Sequence, residues 1–204
     1  GPFYDYAGNN INNIGATIKG GDLVYLTAAN NVNNLALVSY SINGQTTNKD
    51  KTITSGSAKK GTLTTTTISG YTTDSETGLT SNAITEEQAL ASNARNIKST
   101  LIAQGSIESG GNVVVVAGRN LNNKASNITA TGAAYLEATA GDINITTAQL
   151  RDRTVTSWGN KKKGGTNTSD VTTNIESNIV SNGNLDLASI AGDINITGSK
   201  LNSE

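Results

Sequence analysis

The chain has no Cys, no His and no Met, and only one Pro, one Phe and one Trp among 204 residues. Without imidazole or thiolate, most histidine-based catalysis and most transition-metal sites are excluded near neutral pH. Without cysteine there is no disulfide framework, which leaves the compartment open, since a secreted fold can find its burial by other means. An aromatic content of 4% supplies few large side chains for a wide interior. A narrow interior packed with Val, Ile, Leu and Ala suits that composition better. Fifteen basic and 16 acidic residues leave a net charge of −1, so there is no general attraction to nucleic acid or to an anionic membrane. No apolar run reaches the ~18 residues of a membrane span, and no signal peptide is read in these residues. The Gly1-Pro2 start lacks Met and resembles a protease-tag scar. The expectation is a segment of a longer protein, with any targeting signal outside it.

What is abundant is small and polar: Asn, Thr, Ser and Gly make up 97 of the 204 residues. Disorder is nevertheless disfavoured, because the 35% apolar residues fall in short β-branched runs such as Val113-Val114-Val115-Val116. The runs also repeat. Ala7-Gly8-Asn9-Asn10-Ile11-Asn12-Asn13 returns as Ala29-Asn30-Asn31-Val32-Asn33-Asn34 and as Ala117-Gly118-Arg119-Asn120-Leu121-Asn122-Asn123. Shorter forms start at Ala140 and Ala191, each reading Ala-Gly-Asp-Ile-Asn-Ile. The uninterrupted spacings are 22 and 23 residues, which are solenoid periods.

Between these motifs lie alternating strands that end in a small residue. Period two places Val24, Leu26 and Ala28 on one face, and likewise Val113, Val115 and Ala117, Ala134, Leu136 and Ala138, and Leu185 and Leu187. Tyr25, Tyr135, Glu137 and Asp186 fall on the other, solvent face. A unit of about 20 residues made only of short strands cannot bury its apolar face alone and must stack on its neighbours. The stacked solution is an all-β parallel β-helix, a solenoid in which aligned Asn side chains form ladders along the axis. Asn and Gly tolerate left-handed backbone, which is the expected reason for their abundance at the corners.

The pattern covers 1–40, 101–150 and 176–204 as coils of one continuous solenoid. It breaks near Ser41 and near Leu150. Each interruption, 41–100 and 151–175, carries a Thr-rich strand, a basic Gly turn (Lys59-Lys60-Gly61 or Lys161-Lys162-Lys163-Gly164) and a second Thr-rich strand. Both read as extruded β-hairpin arms. The first also carries Thr85-Glu86-Glu87-Gln88, a capping box followed by Leu90, Ala94, Ile97 and Leu101, which predicts a short helix over 85–98.

Polysaccharide-cleaving β-helices need two acidic groups beside a groove. Asp142 and Asp193 occupy corner positions that Asn10, Asn31 and Asn120 fill elsewhere, which marks them as corner residues. Asp74, Glu76, Glu86 and Glu87 read as a solvated loop. No Gly-Gly-x-Gly-x-Asp calcium nonapeptide occurs. No catalytic residue, cofactor or metal is therefore assigned. The candidate interaction surface is Trp158 with Lys161, Lys162 and Lys163 on one arm, and Lys59 and Lys60 on the other. The lysines read as anion contacts or as solvated tips, and Trp158 as a sugar-stacking platform or as cross-strand packing.

The repeated Ala-Gly-x-Asn/Asp-Ile/Leu-Asn, the Gly110 to Gly118 run and the closing Ala191 to Ser199 run resemble the haemagglutinin repeats of filamentous-haemagglutinin-like exoproteins over 7–40 and 101–204. The interruption at 151–175 is similar to those of contact-dependent growth inhibition effectors. The resemblance implies a right-handed β-helical filament on the bacterial surface, exported by an outer-membrane partner in two-partner secretion. It implies a non-enzymatic adhesin, or a stalk that delivers a C-terminal toxin into a neighbouring cell. The partners so implied are further coils of the same chain, the outer-membrane transporter and a receptor or glycan on the target cell, with no nucleic acid. The alternative is a carbohydrate-binding module with its sugar site at the arms around Trp158.

Overall fold

A computed structural model describes residues 1–204. The chain is mostly β-strand, and the alternating runs and Asn motifs sort into three five-stranded parallel sheets. The first stacks Phe3–Ala7, Leu23–Ala28, Asn112–Ala117, Ala134–Ala138 and Leu185–Ser189. The second stacks Ile11–Ile14, Val32–Leu35, Leu121–Lys124, Ile143–Thr146 and Ile194–Ile196. The third stacks Thr17–Gly20, Ser106–Ser109, Asn127–Ala130, Asn178–Ser181 and Lys200–Ser203. The chain visits the sheets in rotation, so strands adjacent in sequence lie in different sheets.

The register keeps like with like. Val24 pairs with Val113, then Ala134 and Leu185, while Leu26 pairs with Val115, then Leu136 and Leu187. The inward residues of all three sheets meet in one apolar cluster that includes Val24 and Leu136 of the first, Ile11 and Ile143 of the second, and Ile107 and Ile179 of the third. This cluster contains no aromatic side chain, in keeping with the composition, and the one buried tyrosine, Tyr40, lies in a separate small cluster with Ile84, Ala89 and Ile97.

The Asn-rich motif makes ladders at three depths. Outward, Asn33 Nδ2 donates to Asn12 Oδ1 at 2.9 Å, Asn122 to Asn33 at 2.9 Å, Asn144 to Asn122 at 3.0 Å and Asn195 to Asn144 at 2.9 Å. Inward, Asn13 donates to Asn34 at 2.8 Å and Asn34 to Asn123 at 2.7 Å, inside the buried interior. At the corners, the side-chain oxygens of Asn10, Asn31, Asn120 and Asp142 each accept the backbone N–H of the next corner residue at 2.8–3.0 Å. Asp142 therefore does what Asn does elsewhere.

The reason expected for corner glycines holds where the second sheet turns into the third, at Gly15 (φ 58°) and Gly198 (φ 54°), and is corrected at the corners between the first and second sheets. No corner Asn is left-handed, and neither Gly118 nor Gly141 has positive φ. A β-carbon at Gly118 would collide with the Ala29 carbonyl, and one at Gly141 with Asn120. Glycine lets adjacent passes of the chain approach closely, while the corner Asn supplies a side-chain acceptor.

Residues outside this pattern build an antiparallel sheet in the order Gly164–Ile175, Ala148–Gly159, Asn96–Ala103, Leu37–Ile42. Lys51–Ser55 pairs with Thr64–Ile68, and Thr72–Thr73 with Thr80–Ser81. The helix spans Glu86–Ala91, with Thr85 accepting from Gln88 N and the Gln88 side chain returning to Thr85 N. It stops short of the 85–98 span expected from sequence, because Asn96–Ala103 pairs with Leu37–Ile42 instead. Alternating apolar residues in that stretch satisfied both periods, and the available strand edge decided between them.

Asn34→Ala should cost about 1–3 kcal/mol, because it leaves the buried Asn123 Oδ1 without its donor. Urea denaturation of the two proteins measures the difference.

Candidate interaction surface

The second arm is a pair of 12-residue strands, Ala148–Gly159 and Gly164–Ile175. Near its tip Trp158 pairs with Gly165, and the indole is 53% exposed. A β-carbon at Gly165 would stand 3.2–3.3 Å from three indole atoms, so the ring lies along the glycine backbone. Cross-strand packing and a solvent-facing edge thus coexist in one side chain. Lys161, Lys162 and Lys163 are exposed in the turn, where Asn160 Oδ1 accepts the N–H of Lys162 at 3.0 Å and of Lys163 at 3.1 Å.

Lys59 and Lys60 sit on the first arm, in the exposed 3-10 turn Ala58–Lys60 closed by Gly61 at φ 67°. Trp158 and its three lysines share one tip, while Lys59 and Lys60 belong to the other. No hydrogen bond or ion pair joins the two tips.

Asp74 and Glu87 are exposed, as expected, but the structure corrects the reading of Glu76 and Glu86 as solvated, since both are half-buried. Asp74 Oδ1 accepts the N–H groups of Glu76 and Thr77, both at 2.9 Å. That turn lays the next residues across the outward Asn ladder of the second sheet. Asn10 and Asn12 donate to the Thr77 carbonyl at 3.2 and 3.0 Å. Asn31 and Asn33 donate to the Glu76 carbonyl, both at 2.9 Å. Asn120 and Asn122 donate to the Glu76 carboxylate, at 3.1 Å and 2.8 Å to Oε2. One loop thereby bridges three stacked strands, and its acceptors match a face made almost wholly of amide donors.

Glu86, at the start of the helix, pairs with Lys124 at 2.9 Å and accepts from the Tyr40 hydroxyl at 3.2 Å. Burial first, then the Glu86 charge and this hydrogen bond, push the Tyr40 phenol well above its ordinary value. The helix lacks a C-capping glycine. Arg151 of the second arm supplies the missing donors, with Nη1 reaching the carbonyls of Ala89, Leu90 and Ser92 at 3.1, 3.1 and 2.7 Å. Its other nitrogens clasp Asp170 at 3.0 and 2.8 Å, and Arg153 joins the same carboxylate while donating to the carbonyls of Asn93 and Ala94. The two interruptions are thus fastened to each other at their bases. Sequence reasoning missed this, although Arg151 and Arg153 alternating on one strand face were a visible signal.

No group of three or more Asp or Glu side chains is positioned to hold a metal ion, and no helix is long and apolar enough to cross a membrane. Asp142 and Asp193 are engaged along the corner ladder, Asp142 accepting the N–H of Asp193.

Residues 157–204 match the hemagglutinin repeat family. Residues 157–204 are thus similar to a filamentous haemagglutinin-like repeat. The haemagglutinin-like repeat takes in the Trp158 tip, the return strand of the second arm and the final strand of each parallel sheet. No curated protein and no solved structure matches the chain.

Glu76→Ala should free the 74–78 loop from Asn120 and Asn122. Amide exchange at Glu76 and Thr77 should quicken, with about 1–2 kcal/mol lost in denaturant unfolding. The hydrogen bond from Arg151 holds the Asp170 carboxyl below its ordinary value. The stabilisation it brings is full above the ordinary carboxylate range and fades as pH falls through the lower folded-state value. The protection factors of the Glu86–Ala91 amides, exchange rates taken relative to the intrinsic rate at each pH, should therefore fall on acidification below roughly pH 4, and Asp170→Asn should show the lower protection already at neutral pH.

Proposed function

We propose that the chain is a non-enzymatic structural and interaction segment of a large secreted bacterial surface filament, built as a right-handed parallel β-helix. The observation that carries this reading is the rotation of the chain through three in-register parallel sheets around one apolar cluster. The family match over 157–204 supports it independently. Right-handedness follows from the strong preference of parallel crossovers in twisted sheets. Such a body extends by adding passes at ~4.8 Å each, which suits a filament that spans the distance between cells.

In this role the segment mediates adhesion to a receptor or glycan on another cell, or forms part of a stalk that presents and delivers a C-terminal toxin. An outer-membrane transporter exports it, and further coils of the same polypeptide stack on its ends. Nucleic acid is not a partner in this reading, in line with the near-neutral net charge.

A second reading places a sugar site at Trp158, favoured by the exposure of the indole beside three free lysines. An acidic glycan is the fitting ligand for that basic tip.

Cells displaying the parent polypeptide should adhere to target bacteria or host cells, and deleting the segment while keeping the flanking chain should abolish adhesion or shorten the surface fibre seen by electron microscopy. Unchanged adhesion and fibre length would overturn the proposal. The reading frames around the gene separate its two forms: a transporter with a downstream toxin and immunity gene marks delivery, and a transporter alone marks an adhesin. Loss of acidic-glycan binding on Trp158→Ala would support the second reading.

A further inference from the structure

The outer face of the first parallel sheet carries an aromatic file that neither the arms nor the repeat match accounts for. The sequence contains six Tyr, and four of them point outward from this one sheet. Tyr4 pairs in register with Tyr25, Tyr25 with Val114, and Val114 with Tyr135. Tyr6 stands beside Tyr4 in the same strand, with Thr27 next along its own file. Tyr6 is 74% exposed, Tyr4 66% and Tyr25 37%. The Tyr4 and Tyr25 ring centres are 6.3 Å apart at an interplanar angle of 40°.

A structural role does not explain these rings. The same outward position holds Val in Asn112–Ala117 and Asp in Leu185–Ser189, so the sheet forms without an aromatic there. Their spacing is fixed by strand stacking at ~4.8 Å per step, so Tyr25 and Tyr135, two steps apart, stand ~10 Å apart along the face. The platform is also preorganised at its far end. The Tyr135 hydroxyl donates to Glu137 Oε1 at 2.7 Å, and Thr139 Oγ1 donates to Glu137 Oε2 at 3.1 Å.

Charge narrows the ligand. The outward positions of the five strands carry Glu137 and Asp186 and no Lys or Arg. A polyanion finds no counter-charge here, which excludes nucleic acid and acidic polysaccharide. An extended chain of uncharged pyranose rings fits instead. Its sugar rings present C–H faces at regular intervals close to the strand step, and these stack on tyrosine. Its hydroxyls can bond to Glu137, Asp186 and the tyrosine hydroxyls. We propose that the first sheet's outer face is a binding platform for an uncharged, extended polysaccharide, with Tyr4, Tyr6 and Tyr25 as the stacking residues. This surface is distinct from the basic Trp158 tip, and it stands on the outward register alone, without the filament reading.

The test is isothermal titration of the whole 204-residue chain with cellohexaose and with the hexamer of N-acetylglucosamine, against an oligogalacturonate as the acidic comparison. At least one uncharged hexamer should bind and the oligogalacturonate should bind no better to this face. Tyr25→Val, which copies Val114 and so keeps the strand, should weaken binding about tenfold. Tyr4→Val with Tyr6→Val should do likewise, and Trp158→Ala should leave the affinity unchanged. Failure of both uncharged hexamers to bind would overturn the proposal. So would binding that survives all three tyrosine substitutions in a protein with an unaltered β circular dichroism spectrum, or binding that is lost only with Trp158.

Discussion

The parallel hydrogen-bonded stack holds everything else in place. One pass of the chain offers a few Val, Ile, Leu and Ala side chains on a narrow interior, too little to cover itself, so each pass is stable only against the next. The interior residues from all three sheets interlock in a single cluster, which forbids slippage of any one sheet. A shift by one residue would turn Val24, Leu26 and Ala28 outward and bring Tyr25 and Thr27 into a space with no room for them. The buried Asn13–Asn34–Asn123 ladder enforces the same register, since Asn34 accepts from Asn13 of one adjacent pass and donates to Asn123 of the other.

That rigidity explains why the interruptions can be large. The first leaves after Leu37–Ile42 and returns through Asn96–Ala103, which pairs antiparallel with the departing strand, so the ends of the insertion are held together whatever lies between them. The second repeats the device with Ala148–Gly159 and Gly164–Ile175. Arg151 and Arg153 then join the second insertion to the helix of the first, and the Asp74–Gly78 loop fastens the first insertion to the amide face of the second sheet. The arms are braces at their bases and free at their tips, where the lysines and Trp158 face solvent.

Asparagine does in this protein what hydrophobic residues alone cannot. Its amide both donates and accepts, so identical side chains at successive passes bond to each other and to nearby carbonyls, and no buried side-chain polar atom is left unpaired. Where the ladder turns outward it presents donors in a row, and a loop bearing two carbonyls and a carboxylate settles on it.

The sequence by itself determined the local and periodic features. The spacing of 22 and 23 residues, the inward positions of Val24, Leu136 and their equivalents, the outward Tyr25, Tyr135 and Asp186, the hairpins at the basic Gly turns and the capping box at Thr85 all rest on interactions between residues near in sequence or repeated at a fixed interval. The tertiary structure decided what the repeats could not encode. The helix ends at Ala91 because a strand edge at Leu37–Ile42 captures Asn96–Ala103, and that competition is between segments far apart in the chain. The docking of Glu76 on Asn120 and Asn122, the clasp of Arg151 and Arg153 on Asp170, and the gathering of Tyr4, Tyr6, Tyr25 and Tyr135 onto one face are likewise long-range. A carboxylate or a phenol carries no periodic signal of its own, and only the folded stack brings it to its partner.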